Sequence, residues 1–548
     1  MKQIIRILVL VLFITGSVVA QNKAIKNVIV LIPDGTSLPV VSAARWYQRI
    51  SQSNMSGLNI DPYICGTILT YSSNAPIGDS APTTSTYMTG HPSRSGSISM
   101  YSPADPTNDI FPLDPEKAYQ PLMTILEAAR ITQNKSTGLV FTCEFPHATP
   151  ADCSAHTYNR NKYEWIVPQM VHNKLDVVIG GGVSLLAEDN RQFLQDEGYG
   201  VFLNDIAGFK NYSGNRMWAL FGNTDMAYDI DRDPEKEPSL AEMTRKAIEK
   251  LSKNKNGFFL MVEGSKVDWA AHANDAAAMI TEMHAFDKAC GVALDFAKAD
   301  GKTVVVVVPD HGNSGFSIGS KKCSNYSALT KDELFGTIAN FKASVNVIID
   351  KLHNTDPADL RAVLNNLTGI SLNENDYSQI LQCADYKRST LSEEEQTKGL
   401  SLSRVVAEIV DKNTCFGFTT TGHTGEEVFL AVYDPTRNRL TGHHTNIELN
   451  HYLRQTLGLK QSLESLTSIY FAKHSEVFAN YAYTITDKNG IPVLEITNKN
   501  NILEIKPNTN IVKVNGKDIQ LNSVIVHVDK NNTFYLPQSL KNLLVDKK

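Results

Sequence analysis

A strand-like run and the segment after it carry three groups that could bind a metal ion. The apolar run Phe258–Val262 is typical of a buried strand and leads directly into Glu263. Asp268 and His272 follow, four residues apart, so a helix would place both on one face. A carboxylate and an imidazole at this spacing can bind one zinc ion. The same pair is also typical of a solvated helix contact, so the spacing alone leaves both roles open.

Three further segments place Asp or His beside apolar runs. Asp310 and His311 follow the run Thr303–Val308, where a turn would expose both side chains. His423 is flanked by glycine, which would let a metal ion approach closely. Asp34 ends the first apolar run and precedes a glycine that permits a tight turn. Capping aspartates and loop histidines are common, so each of these signals alone also fits an ordinary structural role.

A serine near residue 80 has the surroundings of a nucleophile. Pro82 suits the first turn of a helix and Gly90 suits its C-terminal stop, so a helix is predicted between them. Ser80, preceded by Asp79, would lie at the helix N-terminus, where free N–H groups and the helix dipole favour an anion. A bound zinc ion could activate this serine. A simple N-cap is the alternative role.

The stretch from residue 147 to residue 160 adds groups suited to metal and phosphate binding. His147 and Thr149 follow the strand-like run Gly138–Thr142. His156 and Arg160 lie four residues apart, on one face if the segment is helical. Arginine is the natural bidentate clamp for phosphate, and an exposed helical arginine is the alternative.

Nearly all-apolar, β-branched runs alternate with helical patterns along the chain. Such runs are typical of strands in a sheet that is covered on both faces. Helices are predicted at Leu122–Arg130 and at Leu240–Leu251, the second opened by a capping box of Ser239 and Glu242. The alternation predicts a layered α/β fold around a largely parallel sheet. The predicted strands are Asn27–Ile32, Gly138–Thr142, Asp176–Ile179, Phe258–Val262, Thr303–Val308 and Val428–Tyr433.

The candidate residues fall at the carboxyl ends of these predicted strands. Asp34, His147, Glu263 and Asp310 each come at or just after such an end. Ligands of open α/β sheets bind just beyond these ends. The pattern therefore predicts one shared site.

Two regions depart from the alternation. Residues 320–412 carry helical patterns with Asn, Asp and Ser breaks, which predicts a helical insertion between site-bearing segments. Residues 480–548 hold short β-rich runs between turn signals at 487–490, 514–516 and 529–532. This tail is predicted to be a small appended β domain, with the main domain spanning residues 21–479.

The N-terminus is typical of a secretory signal peptide. Lys2 and Arg6 precede the apolar run Ile7–Ile14, and Val18 and Ala20 occupy the −3 and −1 positions of a cleavage site. This pattern predicts a signal peptide at residues 1–20 and export to the periplasm or the extracellular space. An uncleaved anchor is the alternative.

Composition and cysteine count limit the partners and the redox chemistry. The 548 residues include 52 Lys+Arg and 58 Asp+Glu, a net charge of −6 that argues against nucleic acid as the main partner. Past the N-terminus, no apolar run reaches the roughly 18 residues of a membrane span. The seven cysteines leave at least one free thiol unless one pairs between chains. Cys143–Cys153 is one possible disulfide, since export permits disulfides.

Taken together, these motifs resemble those of the alkaline phosphatases, in the family's order and across about residues 27 to 435. The resemblance implies a three-layer α/β sandwich around a largely parallel central sheet. It also implies metal-dependent hydrolysis of small phosphate monoesters through a phosphoserine, with release of phosphate and an alcohol. The matching motifs are Pro-Asp34-Gly, Asp79-Ser80-Ala, His147-Ala-Thr149-Pro with Arg160, Val-Glu263-Gly, Asp268-x-x-x-His272, Asp310-His311-Gly and Gly-His423-Thr-Gly.

The resemblance also implies a role for each matched residue. Ser80 would be the nucleophile and Arg160 the phosphate clamp. Two zinc ions and one magnesium ion would be the cofactors, and a homodimer is a family expectation. The implied ligands are Asp268, His272 and His423 for the first zinc, Asp34, Asp310, His311 and Ser80 for the second, and Asp34, Thr149 and Glu263 for magnesium. Asp79, His147 and Trp269 would lie next to these ligands.

Two positions depart from parts of the family, and rival functions stay open. His147 stands where some bacterial members have Asp, and Trp269 stands where others have Lys or His. One rival is a sulfatase, whose motif needs an arginine four residues after the serine, but Thr84 stands at that position after Ser80. Another rival is a phosphodiesterase, but Arg160 would clamp two non-bridging oxygens that a phosphodiester cannot fully offer. The rival from another class is a non-catalytic exported protein that binds metal or phosphate. The full ligand set together with Ser80 argues against it.

Overall fold

The structure, a computed structural model, describes residues 24–51, 57–323, 325–392, 399–499 and 501–544. The predicted signal peptide lies outside these residues. The strands of the main body are β1 (Asn27–Pro33), β2 (Ile64–Leu69), β3 (Ser136–Glu144), β4 (Val177–Gly181), β5 (Gly200–Leu203), β6 (Met217–Phe221), β7 (Phe258–Gly264), β8 (Thr303–Val307), β9 (Gly312–Asn313), β10 (Ser317–Ile318), β11 (Phe416–Gly417), β12 (His423–Thr424), β13 (Val428–Tyr433) and β14 (Gly442–Thr445).

The helices lie between these strands and beyond them. They are α1 (Leu38–Ser51), α2 (Ser80–Thr89), α3 (Ile125–Gln133), α4 (Ala148–Ala151), α5 (Tyr163–His172), α6 (Glu188–Asp196), α7 (Ile206–Asn211), α8 (Leu240–Leu251), α9 (Lys266–His272), α10 (Ala276–Asp300), α11 (Lys331–Ala339), α12 (Val345–Asn354), α13 (Leu360–Thr368), α14 (Glu374–Leu381), α15 (Leu402–Lys412), α16 (Asn446–Leu457), α17 (Leu463–Tyr470) and α18 (His474–Val477).

A ten-stranded sheet forms the centre of the molecule, in the order β14–β2–β13–β8–β1–β7–β3–β4–β6–β5. β13 runs antiparallel to its neighbours β2 and β8, and the other neighbouring pairs are parallel. Nine strands therefore direct their carboxyl ends to one edge, and β13 brings its amino end there. The predicted largely parallel sheet is confirmed.

The all-apolar sequence of β1 reflects burial of both its faces. Val28, Val30 and Ile32 join one apolar cluster, which includes side chains of α3, α5 and α16. Ile29 and Leu31 point to the other face and join a cluster with α8 and α10. Helices thus cover the sheet on both sides, so the three-layer sandwich is confirmed.

Two predicted helices are present, one of them shifted. α8 spans the predicted residues, with both hydrogen bonds of the Ser239 and Glu242 capping box. The helix predicted from Leu122 begins instead at Ile125, because Thr124 and Glu127 form a capping box that fixes its start.

Residues 320–412 contain the helices α11 to α15, as the helical patterns indicate. Phe335, Ile348, Leu364 and Ile409 belong to the apolar cluster on the α8 and α10 side of the sheet. A disulfide between Cys323 and Cys415 closes this segment at its two ends. The insertion boundaries stay a prediction.

The disulfide pairing differs from the possibility considered above. Cys143 and Cys153 are both free and buried, and Cys323 pairs with Cys415 across 92 residues of sequence. Cys143 lies near the end of β3 and Cys153 lies beyond α4, in different surroundings. Sequence spacing says little about such pairing, because a disulfide depends on the distance between the two cysteines in space.

The C-terminal tail forms small antiparallel sheets. Their strands are β15 (Ala472–Lys473), β16 (Ala482–Lys488), β17 (Ile491–Asn498), β18 (Asn501–Ile505), β19 (Ile511–Val514), β20 (Lys517–Gln520), β21 (Val526–Val528) and β22 (Thr533–Leu536). β16 to β20 form a meander, and β15, β22 and β21 form a second sheet. The three turn signals join β16 to β17, β19 to β20 and β21 to β22. The domain boundary at 480 stays a prediction.

Across the part of the chain that the structure describes, every helix is too short or too polar to cross a membrane.

Candidate active site

Three carboxylates meet at the carboxyl edge of the sheet. Asp34 directly follows β1, Glu263 is the last residue but one of β7, and Asp310 lies three residues beyond β8. β1 lies between β7 and β8, with Ile32 paired to Glu263. All three carboxylates are fully buried. The sheet therefore concentrates negative charge in a small, water-poor volume.

Ser80 reaches the same place from the N-terminus of α2. Asp79 is the N-cap residue, and Gly90 ends the helix in the left-handed conformation, as the sequence predicts. The Ser80 Oγ atom lies 3.2 Å from His311 Nε2 and 3.4 Å from Asp34 Oδ1. The hydroxyl thus faces an imidazole and a carboxylate, beside the free N–H groups of a buried helix end.

Backbone carbonyls orient three histidines at the site. His272 Nδ1 lies 2.6 Å from the oxygen of Thr421. His423 Nδ1 lies 2.9 Å from the Gly78 oxygen, and His311 Nδ1 lies 3.1 Å from the oxygen of its neighbour Gly312. A carbonyl only accepts, so we assign the ring proton to Nδ1 in each case. In the neutral ring, each Nε2 then carries a lone pair that a metal ion could use.

Asp268, His272 and His423 form one donor cluster. Asp268 Oδ2 lies 3.3 Å from His272 Nε2, and Asp268 Oδ1 lies 3.6 Å from His423 Nε2. The two Nε2 atoms are 3.1 Å apart. Asn313 Nδ2 donates to Asp268 Oδ1 at 2.6 Å and holds the carboxylate in place.

Charge pairing dominates this cluster in the absence of a cation. Burial opposes ionisation of Asp268, yet the hydrogen bond from His272 and the nearby charges of His311 and His272 lower its pKa below the ordinary value. The same hydrogen bond to Asp268 raises the pKa of His272 to about 9. The carboxylate is therefore kept ionised and ready to accept a positive charge.

Asp34, Asp310 and His311 form a second cluster. His311 Nε2 lies 3.4 Å from Asp34 Oδ1 and 3.4 Å from Asp310 Oδ2. The N–H groups of Gly35 and His311 each donate to Asp310 Oδ1 at 3.0 Å. Burial, followed by the charges of Asp310, Asp268 and Glu263, raises the pKa of Asp34 well above its ordinary value. The shift follows from burial and from repulsion among neighbouring carboxylates.

A third cluster lies around Glu263. Its Oε1 atom and the Thr149 Oγ1 atom are buried and make no hydrogen bond of regular geometry among the described residues, although the Thr149 hydroxyl lies close enough to lower the pKa of Glu263. Burial and the charge of Asp310 raise the pKa of Glu263 to about 8. Cys143 Sγ lies 3.5 Å from Glu263 Oε2, and Cys143, Glu263 and His147 each offer a donor atom within 4.8 Å of the others.

Cys143 lies beside the third cluster and was not singled out from the sequence as a site residue. It precedes the last residue of β3, a strand-end position like those of the predicted ligands. In the sequence, a cysteine within an apolar run cannot be told apart from the other apolar residues of a buried strand. The position near the strand end was the one available signal.

Arg160 is placed beside Ser80 by loop contacts. Its Nη1 atom donates to Asp79 Oδ1, and its Nη2 atom donates to His147 Nε2 at 2.9 Å. The Gly96 N–H donates to the other Asp79 oxygen at 3.1 Å. Trp269 packs on the far side of His147, with ring centroids 5.9 Å apart.

The segment that holds His156 and Arg160 is not helical, so the condition for a shared helix face is not met. α4 ends at Ala151, and both residues lie in the loop between α4 and α5. His156 is fully buried and bonds to Glu127 at 3.2 Å and to the Ser99 oxygen at 2.9 Å. It therefore fastens loop to helix, away from the donor clusters.

The donor atoms fit divalent cations. Within the described residues, Asp34 Oδ2, Asp310 Oδ2, Glu263 Oε1 and Thr149 Oγ1 are all buried and make no hydrogen bond of regular geometry. Buried polar atoms are normally satisfied, so a convergent group of unsatisfied oxygens indicates a missing ligand. Carboxylate and imidazole donors suit zinc, and oxygen donors suit magnesium.

Comparison with known proteins gives one consistent family. A family model described as alkaline phosphatase matches residues 25–459. Alkaline phosphatase 3 of Bacillus subtilis is 32% identical over 444 residues, which cover 78% of this chain and 88% of that protein. The crystal structure of a cold-active alkaline phosphatase from a psychrophilic Shewanella species has a TM-score of 0.67 at 26% identity and covers 79% of this chain and 99% of its own.

A second solved structure concerns metal use. A mutant of the alkaline phosphatase from the Antarctic bacterium TAB5, with Mg bound in the M3 site, has a TM-score of 0.54 at 25% identity. It covers 80% of this chain and 99% of its own. The matched range of residues 25–459 contains Ser80, Arg160 and the three donor clusters. This chain therefore belongs to the alkaline phosphatase family and is a metal-using phosphomonoester hydrolase.

Proposed function

We propose that this chain hydrolyses small phosphate monoesters through a phosphoserine formed at Ser80. The observation that carries the proposal is the position of Ser80 Oγ, within 3.4 Å of both His311 Nε2 and Asp34 Oδ1 at a helix N-terminus. Arg160 contacts Asp79, the residue before Ser80, and His147, which shares a donor group with Glu263, and this supports one common phosphate site. A phosphoryl group could there meet the nucleophile and the positive charge together.

We propose that the donor clusters hold three divalent cations. Asp268, His272 and His423 would hold one zinc ion. Zinc would supply Lewis-acid stabilisation of the serine oxygen and of the charge on the phosphoryl group. The second zinc ion would take Asp34, Asp310 and His311 together with Ser80. Asp34, Thr149 and Glu263 would hold the third ion, which the family resemblance suggests is magnesium.

The chain's own residues then account for the two chemical steps. Ser80 Oγ bonds to phosphorus, the ester bond breaks, and the alcohol leaves. Water next attacks the phosphorus of the phosphoserine, releases phosphate and restores the Ser80 hydroxyl. Arg160 would hold two non-bridging oxygens, and Asp79 would orient its guanidinium, since Asp79 is itself held by the Gly96 N–H.

We also propose export with cleavage after Ala20. The Cys323–Cys415 disulfide supports this, because such bonds persist in oxidising compartments. N-terminal sequencing of protein recovered outside the cytoplasm should begin at Gln21, and an intact Met1 would contradict cleavage. The apolar cluster formed by the β16–β20 sheet and the end of the chain supports an appended β domain from about residue 480, and Val524, Val526, Val528 and Tyr535 join that tail to the apolar cluster of the main body. A homodimer, suggested by the family alone, is tested by sedimentation.

The function is tested with three substrates in parallel: the monoester p-nitrophenyl phosphate, the diester bis-p-nitrophenyl phosphate, and p-nitrophenyl sulfate. We expect strong, metal-dependent preference for the monoester at alkaline pH. Preference for the diester or the sulfate would assign the chain to a sister activity. Failure to hydrolyse any of them would favour a binding protein.

Ser80→Ala should abolish most monoesterase activity, because it removes the oxygen that bonds to phosphorus. Metal content, measured by plasma mass spectrometry, should change little, since other residues supply most of the donors. Ser252→Ala, at the exposed end of α8, is the matched control and should keep wild-type turnover. Wild-type turnover by Ser80→Ala would exclude Ser80 as the nucleophile.

Arg160→Ala should lower kcat/KM for the monoester by roughly 10²-fold, because a charge-assisted contact is worth about 1.5–3 kcal/mol. Arg160→Lys should restore part of the loss, as a single charge without the planar fork. Activity on the diester should fall less than activity on the monoester. Equal losses on both substrates would argue against a clamp on two free oxygens.

Removal of divalent cations should lower the melting temperature, and zinc should restore it. The pKa of Glu263 is raised from an ordinary 4.5 to about 8, so ionisation of this carboxyl destabilises the folded state when no metal is bound. That stability is lost as the pH rises from about 4.5 to about 8, and a bound cation opposes the loss. The drop on chelation, followed by scanning fluorimetry, should therefore be larger at about pH 9 than at about pH 6. An equal drop would contradict this account.

A further inference from the structure

Cys143 lies where a metal-binding sulfur could join the third cluster. It is fully buried, and its Sγ atom lies 3.5 Å from Glu263 Oε2. Its backbone N–H is 3.1 Å from Ser265 Oγ, a contact that fixes the end of β3 and the direction of the side chain. The Cys143 thiol thus donates a weak hydrogen bond to a buried carboxylate instead of contacting apolar groups alone.

Unpartnered oxygens at the same place point independently to a cation. Glu263 and Thr149 are fully buried, and Glu263 Oε1 and Thr149 Oγ1 make no hydrogen bond of regular geometry in the described parts of the chain, although the Thr149 hydroxyl lies close enough to interact with the Glu263 carboxyl. Asp34 Oδ2 likewise makes no hydrogen bond of regular geometry there. Cys143 also shares a 4.8 Å donor group with Glu263 and His147. A cation among these atoms would satisfy the oxygens and the sulfur together.

A second cysteine nearby lacks these features. Cys153 is also free and fully buried, but its Sγ atom lies 3.7 Å from the backbone oxygen of Thr149. Among the described residues, the donor groups include Cys143 and leave Cys153 out. The chain thus provides a matched pair of buried thiols, one facing a carboxylate and one facing a carbonyl.

We propose that Cys143 Sγ is a ligand of the third cation, with Glu263, Asp34 and Thr149, and that this ion is zinc. The proposal rests on the proposed function, since it changes the identity of one of its ions. Magnesium takes hard oxygen donors and gains little from sulfur, whereas thiolate strongly favours zinc. Binding requires the thiolate, so the Cys143 proton is released to solvent as the ion enters.

His147 is already used in a hydrogen bond with Arg160. Its Nε2 atom accepts from Arg160 at 2.9 Å, which leaves the ring proton on Nδ1. Nδ1 is buried and has no partner within the described residues. It could bind an ion only after the proton moved to Nε2, which would end the Arg160 hydrogen bond. We therefore assign the sulfur to the ion and leave the ring with Arg160.

The first test uses cobalt as a spectroscopic substitute for zinc. The full-length mature protein is stripped with a chelator and reloaded with Co²⁺. Wild type should show the near-ultraviolet absorption of a sulfur-to-cobalt charge transfer. Cys143→Ser should lose this band, whereas Cys153→Ser should keep it. The proposal would be overturned if both variants kept the band, or if cobalt-loaded wild type showed no band.

The second test measures which ion the third site keeps. Wild type dialysed against excess Mg²⁺ should retain three zinc ions per chain. Cys143→Ser, which replaces sulfur with a hard oxygen, should exchange one of them for magnesium. The affinity lost for that zinc ion should exceed the roughly 10–100-fold that loss of an outer partner costs. Magnesium uptake by wild type would overturn the proposal.

X-ray absorption at the zinc edge needs no variant and covers the case in which Cys143→Ser fails to fold. A sulfur scatterer at about 2.3 Å from part of the zinc is expected in wild type. Oxygen and nitrogen scatterers alone would overturn the proposal. Activity on p-nitrophenyl phosphate is recorded separately. Sulfur ligation without turnover would support Cys143 as a ligand and contradict the proposed function. Turnover without sulfur ligation would support the proposed function and contradict Cys143 as a ligand.

Discussion

The rest of the site depends on four carboxylates buried together at one edge of the sheet. Asp34, Glu263, Asp268 and Asp310 are each 4% exposed or less. Burial and mutual repulsion raise the pKa values of Asp34 and Glu263, and only partnership with histidines keeps that of Asp268 low. Like charges placed so close in a water-poor volume are tolerated only when cations balance them. Metal binding is therefore part of what makes this arrangement of the chain stable, as well as part of the chemistry.

The topology of the sheet explains how distant segments supply the donors. Parallel strands deliver residues that follow them, but His423 precedes its strand. It reaches the same edge because β13 runs against its neighbours, so that its amino end lies there. The short β9–β12 ribbon then pairs His423 with Asn313, and Asn313 donates to Asp268 at 2.6 Å. One reversed strand thus joins a late segment to ligands that lie about 150 residues earlier in the chain.

The sequence predicted the inner sheet better than its margins and its loops. Six strands were visible because burial on both faces leaves an unbroken apolar run, whereas the partly exposed β2 and β14 lack one. Asp34 and Asp310 could be placed because strand ends meet at one edge. The position of Arg160 could not be predicted in this way, because residue spacing does not show whether a segment is helical. From the sequence, Cys143 could not be distinguished from a core residue, because Glu263 lies 120 positions away in the sequence and is close to it only in space.

The site combines donors fixed by the backbone with a clamp fixed by side chains. Main-chain N–H groups hold Asp310, and main-chain carbonyls hold His272 and His423, so these groups cannot turn without breaking backbone contacts. Arg160 contacts the side chains of Asp79 and His147, and its ion pair with Asp79 is partly exposed. Partly exposed ion pairs contribute little free energy, because solvent screens them. The ion pair with Asp79 alone therefore does not fix Arg160, whose guanidinium is held by Asp79 and His147 together. The preorganised donors keep their positions through backbone contacts, which is where fixed geometry lowers a barrier most.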